Sequence, residues 1–221
     1  MRTAAVLPVK SFDRAKQRLG AALGELDRAE LAAAMLGDVL AALEAAGGLD
    51  DIIVVTAEPR AAAAAHAAGA HVVDDPVEAG QSDAAARGVR AAVERGAERV
   101  LLVPGDCPAL DPTEVAMLLD GFPAAGLVIV PDRHGSGTNA LLIAPPNAVH
   151  PSFGPGSFAR HAVFGAAAAV GVRVAHAPSL ELDVDTPGDL AALRESLTRL
   201  PPAAPRTRKL LETMAPSHTV A

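Results

Sequence analysis

The feature that most constrains the fold of this chain is a regular alternation of short apolar runs with segments of helical spacing. Apolar runs typical of strands lie at 4–9, 52–56, 71–73, 100–103, 127–130, 139–143 and 172–175. Helical patterns lie between them or follow them, at about 25–46, 58–68, 83–95, 112–120, 157–170 and 186–198. This alternation is typical of a parallel sheet covered by helices on both faces. We therefore predict an α/β fold of three layers with a mostly parallel, Rossmann-like sheet.

Length and the composition of the C-terminus define the expected domain organisation. The chain has 221 residues, and the alternating pattern ends near residue 200. One domain over 1–200 agrees with the usual domain size of about 100–200 residues. The remaining segment, 201–221, is rich in proline and polar residues and has one short helical pattern around 209–214. We interpret 201–221 as a C-terminal tail and expect it to be mobile.

Composition argues against several classes of partner. Aromatic residues make up 2% of the chain and the formal net charge is −7, which disfavours both base stacking and phosphate-backbone binding to nucleic acids. No apolar run reaches about 18 residues without charges or helix breakers, and Met1 leads directly into a strand pattern, so neither a membrane span nor a signal peptide is expected. Cys107 is the only cysteine, as is typical of a reducing compartment. We predict a cytoplasmic protein with small-molecule partners; a homodimer is compatible with the sequence.

Two acidic segments supply candidate metal ligands. The segment LLVPGDCPAL places Asp106 directly after a buried strand, and LELDVDTPGDL places Asp183 and Asp185 after a second apolar stretch that we also interpret as a strand. Carboxylates at strand ends lie where open α/β sheets bind their ligands. Burying them requires a partner, and Mg²⁺ is a common one. We therefore predict a Mg²⁺ site formed by Asp106 with Asp183 or Asp185.

The choice between the two later carboxylates stays open at this point. Side chains two apart on one strand point to the same face, so both Asp183 and Asp185 are candidates. Asp185 also precedes Thr186 and Pro187, a pattern in which it can be the N-cap of the following helix instead.

A group of basic residues follows the first strand. Lys10, Arg14, Lys16 and Arg18 place four cations within nine residues of an acidic chain. The first strand-to-helix loop is where nucleotide-binding sheets hold phosphates, and lysine suits a phosphate as a point charge. The alternative is a solvated basic loop. No Walker or dinucleotide-binding glycine motif occurs.

Three further segments are candidates for ligand contact. Gly80, Gln81 and Ser82 precede a helix, and the amide and hydroxyl can bond a base edge. The segment DRHGSGTNALL, which contains Thr138, and the segment SFGPGSFARHAV, which contains Gly154 and Ser157, are rich in glycine and hydroxyls. Such loops expose backbone amides that bind anions, and the alternative is an ordinary turn. We interpret His134 and His161 as structural, and the seven histidines show no zinc-type clustering.

Three of the motifs together resemble a known family. LPVKSFDRAKQRL at 7–19, PGDCPAL at 104–110 and LDVDTPGDL at 182–190 are similar in order and spacing to the small guanylyltransferases of coenzyme F420 biosynthesis. Those enzymes act on 2-phospho-L-lactate or phosphoenolpyruvate and belong to the nucleotidyltransferase superfamily. The resemblance spans about residues 3–198, and it implies a nucleotide-diphospho-sugar-transferase-type fold.

The resemblance implies a specific reaction and roles for the candidate residues. GTP and phosphoenolpyruvate would give enolpyruvoyl-2-diphospho-5'-guanosine and pyrophosphate in a Mg²⁺-dependent transfer, with a hand-off to the next enzyme of the pathway. Lys16 and Asp106 would be catalytic, and Asp106, Asp183 and Asp185 would hold the metal. The acceptor would contact Thr138, Gly154 and Ser157. The nucleotide would contact Lys10, Arg14, Lys16, Gly80, Gln81 and Ser82.

Several alternatives remain at this point. The acceptor can instead be 2-phospho-L-lactate, which differs by one unsaturation. A molybdenum-cofactor or sugar-phosphate nucleotidyltransferase is a second alternative, but such enzymes usually carry a longer glycine-rich loop than the Pro-Val-Lys-Ser-Phe-Asp-Arg-Ala-Lys found at 8–16. A non-catalytic nucleotide-binding partner is the third. Where related proteins usually have Gly-Leu-Asn, this chain has Gly80, Gln81 and Ser82, which leaves base selectivity open.

Overall fold

The seven strands of the described chain form a single mixed sheet. A computed structural model describes residues 1–199 and 203–214. The order across the sheet is β3-β2-β1-β4-β6-β5-β7. Only β6 runs antiparallel to its neighbours among these strands. The strands are β1 Thr3–Pro8, β2 Asp51–Thr56, β3 His71–Asp74, β4 Arg99–Leu102, β5 Gly126–Pro131, β6 Thr138–Ala144 and β7 Gly171–Val174.

Helices connect the strands and confirm the predicted α/β architecture. Two short 3₁₀ helices, Phe12–Arg14 and Gln17–Ala21, follow β1. The α-helices are α1 Glu25–Ala45, α2 Pro59–Ala67, α3 Gln81–Glu94, α4 Pro112–Leu119, α5 Ser157–Ala167, α6 Pro178–Glu181, α7 Pro187–Arg199 and α8 Pro205–Thr213. Within the described residues, no helix combines the length and the apolar character that a membrane crossing requires.

Alternating side chains of the sheet build two apolar cores. Leu7, Val54 and Leu101 point to the face covered by α1, α2 and α4. Val6, Val55 and Leu102 point to the opposite face, covered by α3 and α5. This alternation follows from the period of two in a strand, and burying both faces is why these strands are almost continuously apolar.

The C-terminal segment departs from the prediction of a tail. Of the predicted tail 201–221, residues 201–202 and 215–221 lie outside the described part of the chain. Residues 205–213 form α8, which packs against α1. The buried carboxylate of Asp38 on α1 accepts hydrogen bonds from the backbone N–H groups of Arg206 and Thr207, at 3.1 and 2.8 Å. An apolar cluster that includes Leu31, Leu193 and Leu211 joins α1, α7 and α8.

Candidate active site

The candidate functional residues gather at one edge of the sheet. β1, β2 and β4 run parallel, so the loops that follow them leave the sheet on the same side. Because β6 is antiparallel to β4, its first residue, Thr138, lies at that same edge. The topology therefore brings together residues from the N-terminal loop, the β4–α4 loop and the start of β6.

Lys16 lies at the centre of this edge. Its Nζ donates a hydrogen bond to Asp185 Oδ1 at 2.8 Å and a second, short one to Asp106 Oδ2. The lysine side chain is only 6% exposed, whereas that of Asp106 is 25% and that of Asp185 46% exposed. The lysine ammonium is thus buried beneath two carboxylates that reach towards solvent. It joins Asp106 and Asp185, which lie 90 and 169 positions after it in the sequence.

The backbone and the electrostatics of Lys16 are both unusual. Its φ of 56° and ψ of 31° lie in the left-handed region, which costs a non-glycine residue about 1–3 kcal/mol. Burial by itself lowers the pKa of the ammonium, but the charges of Asp106 and Asp185 outweigh burial and raise its pKa above the ordinary value. Lys16 therefore stays charged, and it is held in place by the two carboxylates.

The two acidic segments are in direct contact, although one of them is not a strand. Residues 182–186 have no regular secondary structure, so the predicted strand before Asp183 and Asp185 is wrong. α6 precedes this segment and α7 follows it, so its five residues connect two helices and are not part of the sheet. The backbone N–H of Val184 instead donates to the Asp106 carbonyl at 3.1 Å, which fixes one acidic segment against the other.

The third carboxylate, Asp183, is held apart from the lysine. Its Oδ1 accepts a hydrogen bond from Asn139 Nδ2 at 3.1 Å. Burial, then the negative charge of Asp106, raises the pKa of Asp183 to about 6, although the bond from Asn139 opposes this shift. Asp106 Oδ1 is buried and has no hydrogen-bond partner among the described residues. Negative charge is therefore concentrated here beyond what Lys16 balances.

The predicted N-cap role of Asp185 is taken by its neighbour. Asp189 accepts hydrogen bonds from the Thr186 N–H at 2.7 Å and the Thr186 hydroxyl at 2.8 Å, while the Asp189 N–H donates to Thr186 Oγ1 at 3.3 Å. This reciprocal pair is a capping box with Thr186 at the N-cap. Asp189 also pairs with Arg133 at 2.5 Å and accepts from the Asp185 N–H at 3.2 Å. The Asp185 carboxylate is therefore left to bind Lys16.

An open cavity of about 210 Å³ lies beside this cluster. Of the residues predicted to bind nucleotide, Lys10, Lys16, Gly80 and Gln81 line it, together with Asp106 and Asp185. The side chain of Arg14, also predicted to bind nucleotide, lies outside the described part of the chain. The remaining lining residues include apolar Phe12 and Met35 and acidic Asp75 and Glu78.

The 80–82 segment joins the cavity to the neighbouring loop. Gly80 has a φ of +137°, a conformation that L side chains rarely adopt, and α3 begins directly after it at Gln81. Ser82 does not line the cavity. Its Oγ accepts a hydrogen bond from the Phe153 N–H at 2.9 Å. Ser82 therefore links the N-terminus of α3 to the loop that carries Gly154.

The residues predicted to bind the acceptor lie on the β6–α5 side of the edge and do not line the cavity. Thr138 is the first residue of β6 and Ser157 is the first residue of α5. Gly154 lies in the loop before α5 and has a φ of +100°. Ser157 is 1% exposed, and its Oγ has no hydrogen-bond partner among the described residues. The start of α5 meets the loop before β6 where the Phe158 N–H donates to the Ser136 carbonyl at 3.3 Å.

Two residues on α5 have contacts that sequence reasoning missed. His161, which we interpreted only as structural, bonds both Thr138 and the Ser152 N–H. Arg160 directs its guanidinium to the carbonyls of Ser152, Phe153 and Pro155. The sequence does show that both residues lie one helical turn after Ser157, and so on the same side of the helix. It does not show which loop their side chains contact.

Cys107 is inert in this arrangement. It is fully buried, and its thiol contacts the Leu180 carbonyl at 3.4 Å. Burial, then the charge of Asp106, raises the pKa of the thiol well above its ordinary value. A thiolate nucleophile is therefore disfavoured next to Asp106.

Comparisons with known sequences agree with this arrangement. A family model described as CofC-like guanylyl transferase matches residues 3–194. A phosphoenolpyruvate guanylyltransferase from Conexibacter woesei is 48% identical over 214 residues, which is 96% of each chain. Another, from Sphaerobacter thermophilus, is 37% identical over 193 residues, covering 87% of this chain and 93% of its own length.

Solved structures with low sequence identity share the fold. A protein from Desulfovibrio desulfuricans assigned as a nucleotide-diphospho-sugar transferase has a TM-score of 0.76 at 17% identity, covering 96% of this chain and 95% of its own. A nucleotidyl transferase from Methanothermobacter has a TM-score of 0.62 at 20% identity, with coverages of 90% and 98%. These similarities confirm the predicted nucleotide-diphospho-sugar-transferase-type fold.

Proposed function

The chain belongs to the family of CofC-like guanylyl transferases, and on that premise we propose that it joins GTP to phosphoenolpyruvate. An oxygen of the phosphoenolpyruvate phosphate forms a bond to the α-phosphorus of GTP, and the bond from that phosphorus to the oxygen bridging the β-phosphorus breaks. The products are enolpyruvoyl-2-diphospho-5'-guanosine and pyrophosphate. The observation that carries the proposal is the Lys16–Asp106–Asp185 cluster beside a cavity, in a chain 48% identical to a protein of that name.

The acceptor needs no general base. A phosphate monoester has a second pKa near 6, so it is largely dianionic at neutral pH. The requirement is then to align two anions and to offset their repulsion. Lys16 supports this requirement, because its pKa is raised above the ordinary value and it keeps its charge. We assign to Lys16, with Lys10 at the exposed rim of the cavity, the contacts to the triphosphate and to the leaving pyrophosphate.

The carboxylates fit a divalent cation. Asp106 and Asp185 already bond one ammonium, Asp106 through Oδ2, and the second oxygen of Asp106, Oδ1, has no hydrogen-bond partner among the described residues. Oxygen ligands of this type suit Mg²⁺. In the described part of the chain, no three carboxylate, histidine or cysteine groups converge as a ready ligand set. Because Asp106 and Asp185 both line the cavity, we assign Mg²⁺ to these two carboxylates, with Asp183 as the neighbouring carboxylate held by Asn139.

Each part of the site then has one task. When bound, Mg²⁺ offsets the charge that develops on the phosphate oxygens. Asp106 and Asp185 would hold it, and we assign contacts with the nucleotide to Gly80 and Gln81, which line the cavity at the start of α3. Thr138, Gly154 and Ser157 are assigned to the acceptor. We propose that this reaction is a step of coenzyme F420 biosynthesis in the cytoplasm. The product would then pass to the next enzyme of the pathway.

Product analysis tests the proposal directly. Purified protein with GTP, Mg²⁺ and phosphoenolpyruvate should release pyrophosphate and form one product with the mass of enolpyruvoyl-2-diphospho-5'-guanosine. Parallel reactions with 2-phospho-L-lactate, and with ATP or CTP in place of GTP, measure acceptor and base selectivity. If pyrophosphate is released with 2-phospho-L-lactate but not with phosphoenolpyruvate, the acceptor is 2-phospho-L-lactate. No release with either acceptor, with or without the next pathway enzyme present, would contradict the proposed function.

A further inference from the structure

The buried ring of His161 connects the two segments assigned to the acceptor. The residue has no solvent exposure. Its Nε2 lies 2.9 Å from the Ser152 N–H, and its Nδ1 lies 3.0 Å from Thr138 Oγ1. Phe153 packs edge-on against the ring, with centroids 5.4 Å apart. One side chain on α5 thus bonds the first residue of β6 and the loop that leads to Gly154.

These contacts determine where the proton on the ring lies. A backbone N–H only donates, so Nε2 must accept from Ser152 and carry no proton. A neutral imidazole then carries its proton on Nδ1, which faces Thr138. Burial, reinforced by the neighbouring Arg160 charge, lowers the pKa of His161 to about 4, so the ring is neutral at physiological pH. Thr138 Oγ1 therefore accepts from the histidine, and its own proton is left to donate elsewhere.

A second hydroxyl lies on the same face of α5. Ser157 precedes His161 by four residues, so the two side chains are neighbours on the helix. Ser157 Oγ is buried and has no hydrogen-bond partner among the described residues, and a buried hydroxyl without a partner costs about 1–3 kcal/mol. Thr138 and Ser157 are therefore two hydroxyl donors beside one histidine, and an anionic oxygen is the ligand that satisfies both.

We propose that His161 is a positioning residue for the acceptor: it orients the Thr138 hydroxyl as a donor, and it fixes the loop at Ser152 so that the Ser157 hydroxyl donates to the same anion. This inference rests on the proposed function, because the anion is the carboxylate or phosphate of phosphoenolpyruvate. It predicts that His161 affects the affinity for the acceptor but not the affinity for GTP, because the histidine does not line the cavity that Lys16 and Gln81 line.

Steady-state kinetics of four variants test this role. His161→Phe removes both ring nitrogens and should raise the KM for phosphoenolpyruvate about tenfold, the equivalent of one lost hydrogen bond to a charged group. The KM for GTP should change by less than about twofold. Thr138→Val should have the same effect, and the double variant should be no worse than either single variant. His161→Asn, whose amide N–H₂ replaces the Nδ1 donor, should restore most of the affinity.

The outcomes separate the inference from the proposed function. Three results with His161→Phe would overturn the inference while guanylyl transfer by the unaltered protein stands: an unchanged KM for the acceptor, an equal rise in both KM values, or an effect on KM that adds to the effect of Thr138→Val.

If the unaltered protein has no turnover, the proposed function fails first. The inference is then judged by ¹⁵N resonances of His161 and by calorimetric titration with phosphoenolpyruvate. A proton on Nε2, or equal binding by unaltered protein and His161→Phe, overturns it. The exposed His66→Phe on α2 is the matched control.

Discussion

Lys16 Nζ lies 2.8 Å from Asp185 Oδ1 and is also bonded to Asp106, across 169 and 90 residues of sequence. The lysine side chain is 6% exposed, so this is a buried cation held by two partly exposed carboxylates. Removing one partner of a buried ion pair leaves the other charges uncompensated, and this usually costs more than the pair contributes. Substitutions in the cluster should therefore affect stability as well as turnover, so each variant is measured for both.

Asp106→Asn should abolish metal-dependent turnover while the protein stays folded. The amide keeps the shape of the side chain but loses the charge that pairs with Lys16 and that we assign to binding a divalent cation. We expect pyrophosphate release to fall by at least about 100-fold, with a circular dichroism spectrum like that of the unaltered protein. Asp111→Asn is the matched control, since Asp111 caps α4 by accepting from the Thr113 N–H and asparagine caps equally well. Turnover of Asp106→Asn within about threefold of the unaltered protein would remove its assigned role.

Lys16→Met should reduce kcat/KM for GTP by about 100-fold or more. The substitution removes the cation that balances Asp106 and Asp185 and keeps a side chain of similar length. Lys209→Met, on the exposed side of α8, is the control with the same chemical change and should leave the kinetics unchanged. If Lys16→Met altered only thermal stability, the lysine would be a structural counter-ion and its assigned contact to the triphosphate would be wrong.

Asp189→Ala should destabilise the protein by about 2 kcal/mol at neutral pH, through loss of the capping box and of buried bonds to a charged group. Burial raises the pKa of Asp189, but the bonds from Thr186 outweigh it and lower the pKa below the ordinary value. A lowered folded-state pKa stabilises the protein above the ordinary pKa, and this contribution is lost as the pH falls through the folded-state value. The difference in urea unfolding between the unaltered protein and Asp189→Ala should therefore shrink as the pH falls below 3.8, the ordinary pKa of an aspartate. Glu195→Ala, on the exposed side of α7, should change stability by less than about 0.5 kcal/mol.

Protonation of His161 should destabilise the fold in acid. Its folded-state pKa is about 4, against an ordinary value of 6.5. Folding therefore favours the neutral ring. This contribution is complete above pH 6.5 and is lost as the pH falls from 6.5 towards 4. The ring resonances of His161 should keep neutral chemical shifts down to about pH 5. A midpoint for His161 near 6.5 would contradict the buried hydrogen-bonded geometry.

Asp38→Ala should release α8. The carboxylate is buried and holds the first turn of α8 through the N–H groups of Arg206 and Thr207. Without it, proteolysis should cleave within 203–214 at protease concentrations that leave the unaltered protein intact. Glu44→Ala, exposed near the end of α1, should show no change. Equal resistance of Asp38→Ala would mean that the other contacts of α8 hold the helix, among them Leu211 in the apolar cluster and the bond from the Arg206 guanidinium to the Gly37 carbonyl.

Sequence periodicity predicted most of the fold because it encodes burial directly. The seven apolar runs and the helical segments from 25–46 to 186–198 correspond to observed elements, since a strand buried on both faces must be apolar and a helix must present one apolar stripe. The same reasoning was wrong for the stretch before Asp183. Leu180 is apolar because α6 packs on β5 and β6, and Leu182 is apolar because it packs against the cluster that joins α1, α7 and α8. Over so short a run, such burial gives the same apolar pattern as a strand.

The sequence by itself determined which chemical groups follow which strands: Lys16 after β1, Asp106 after β4 and a pair of carboxylates before α7. Only the tertiary structure decided how they combine. It joined Lys16 to Asp185, gave the N-cap of α7 to Thr186, and connected His161 to Thr138. The physical reason is that local spacing fixes the type of each element and the edge it reaches. Which side chains then meet depends on the order of strands in the sheet and on the paths of the loops between them.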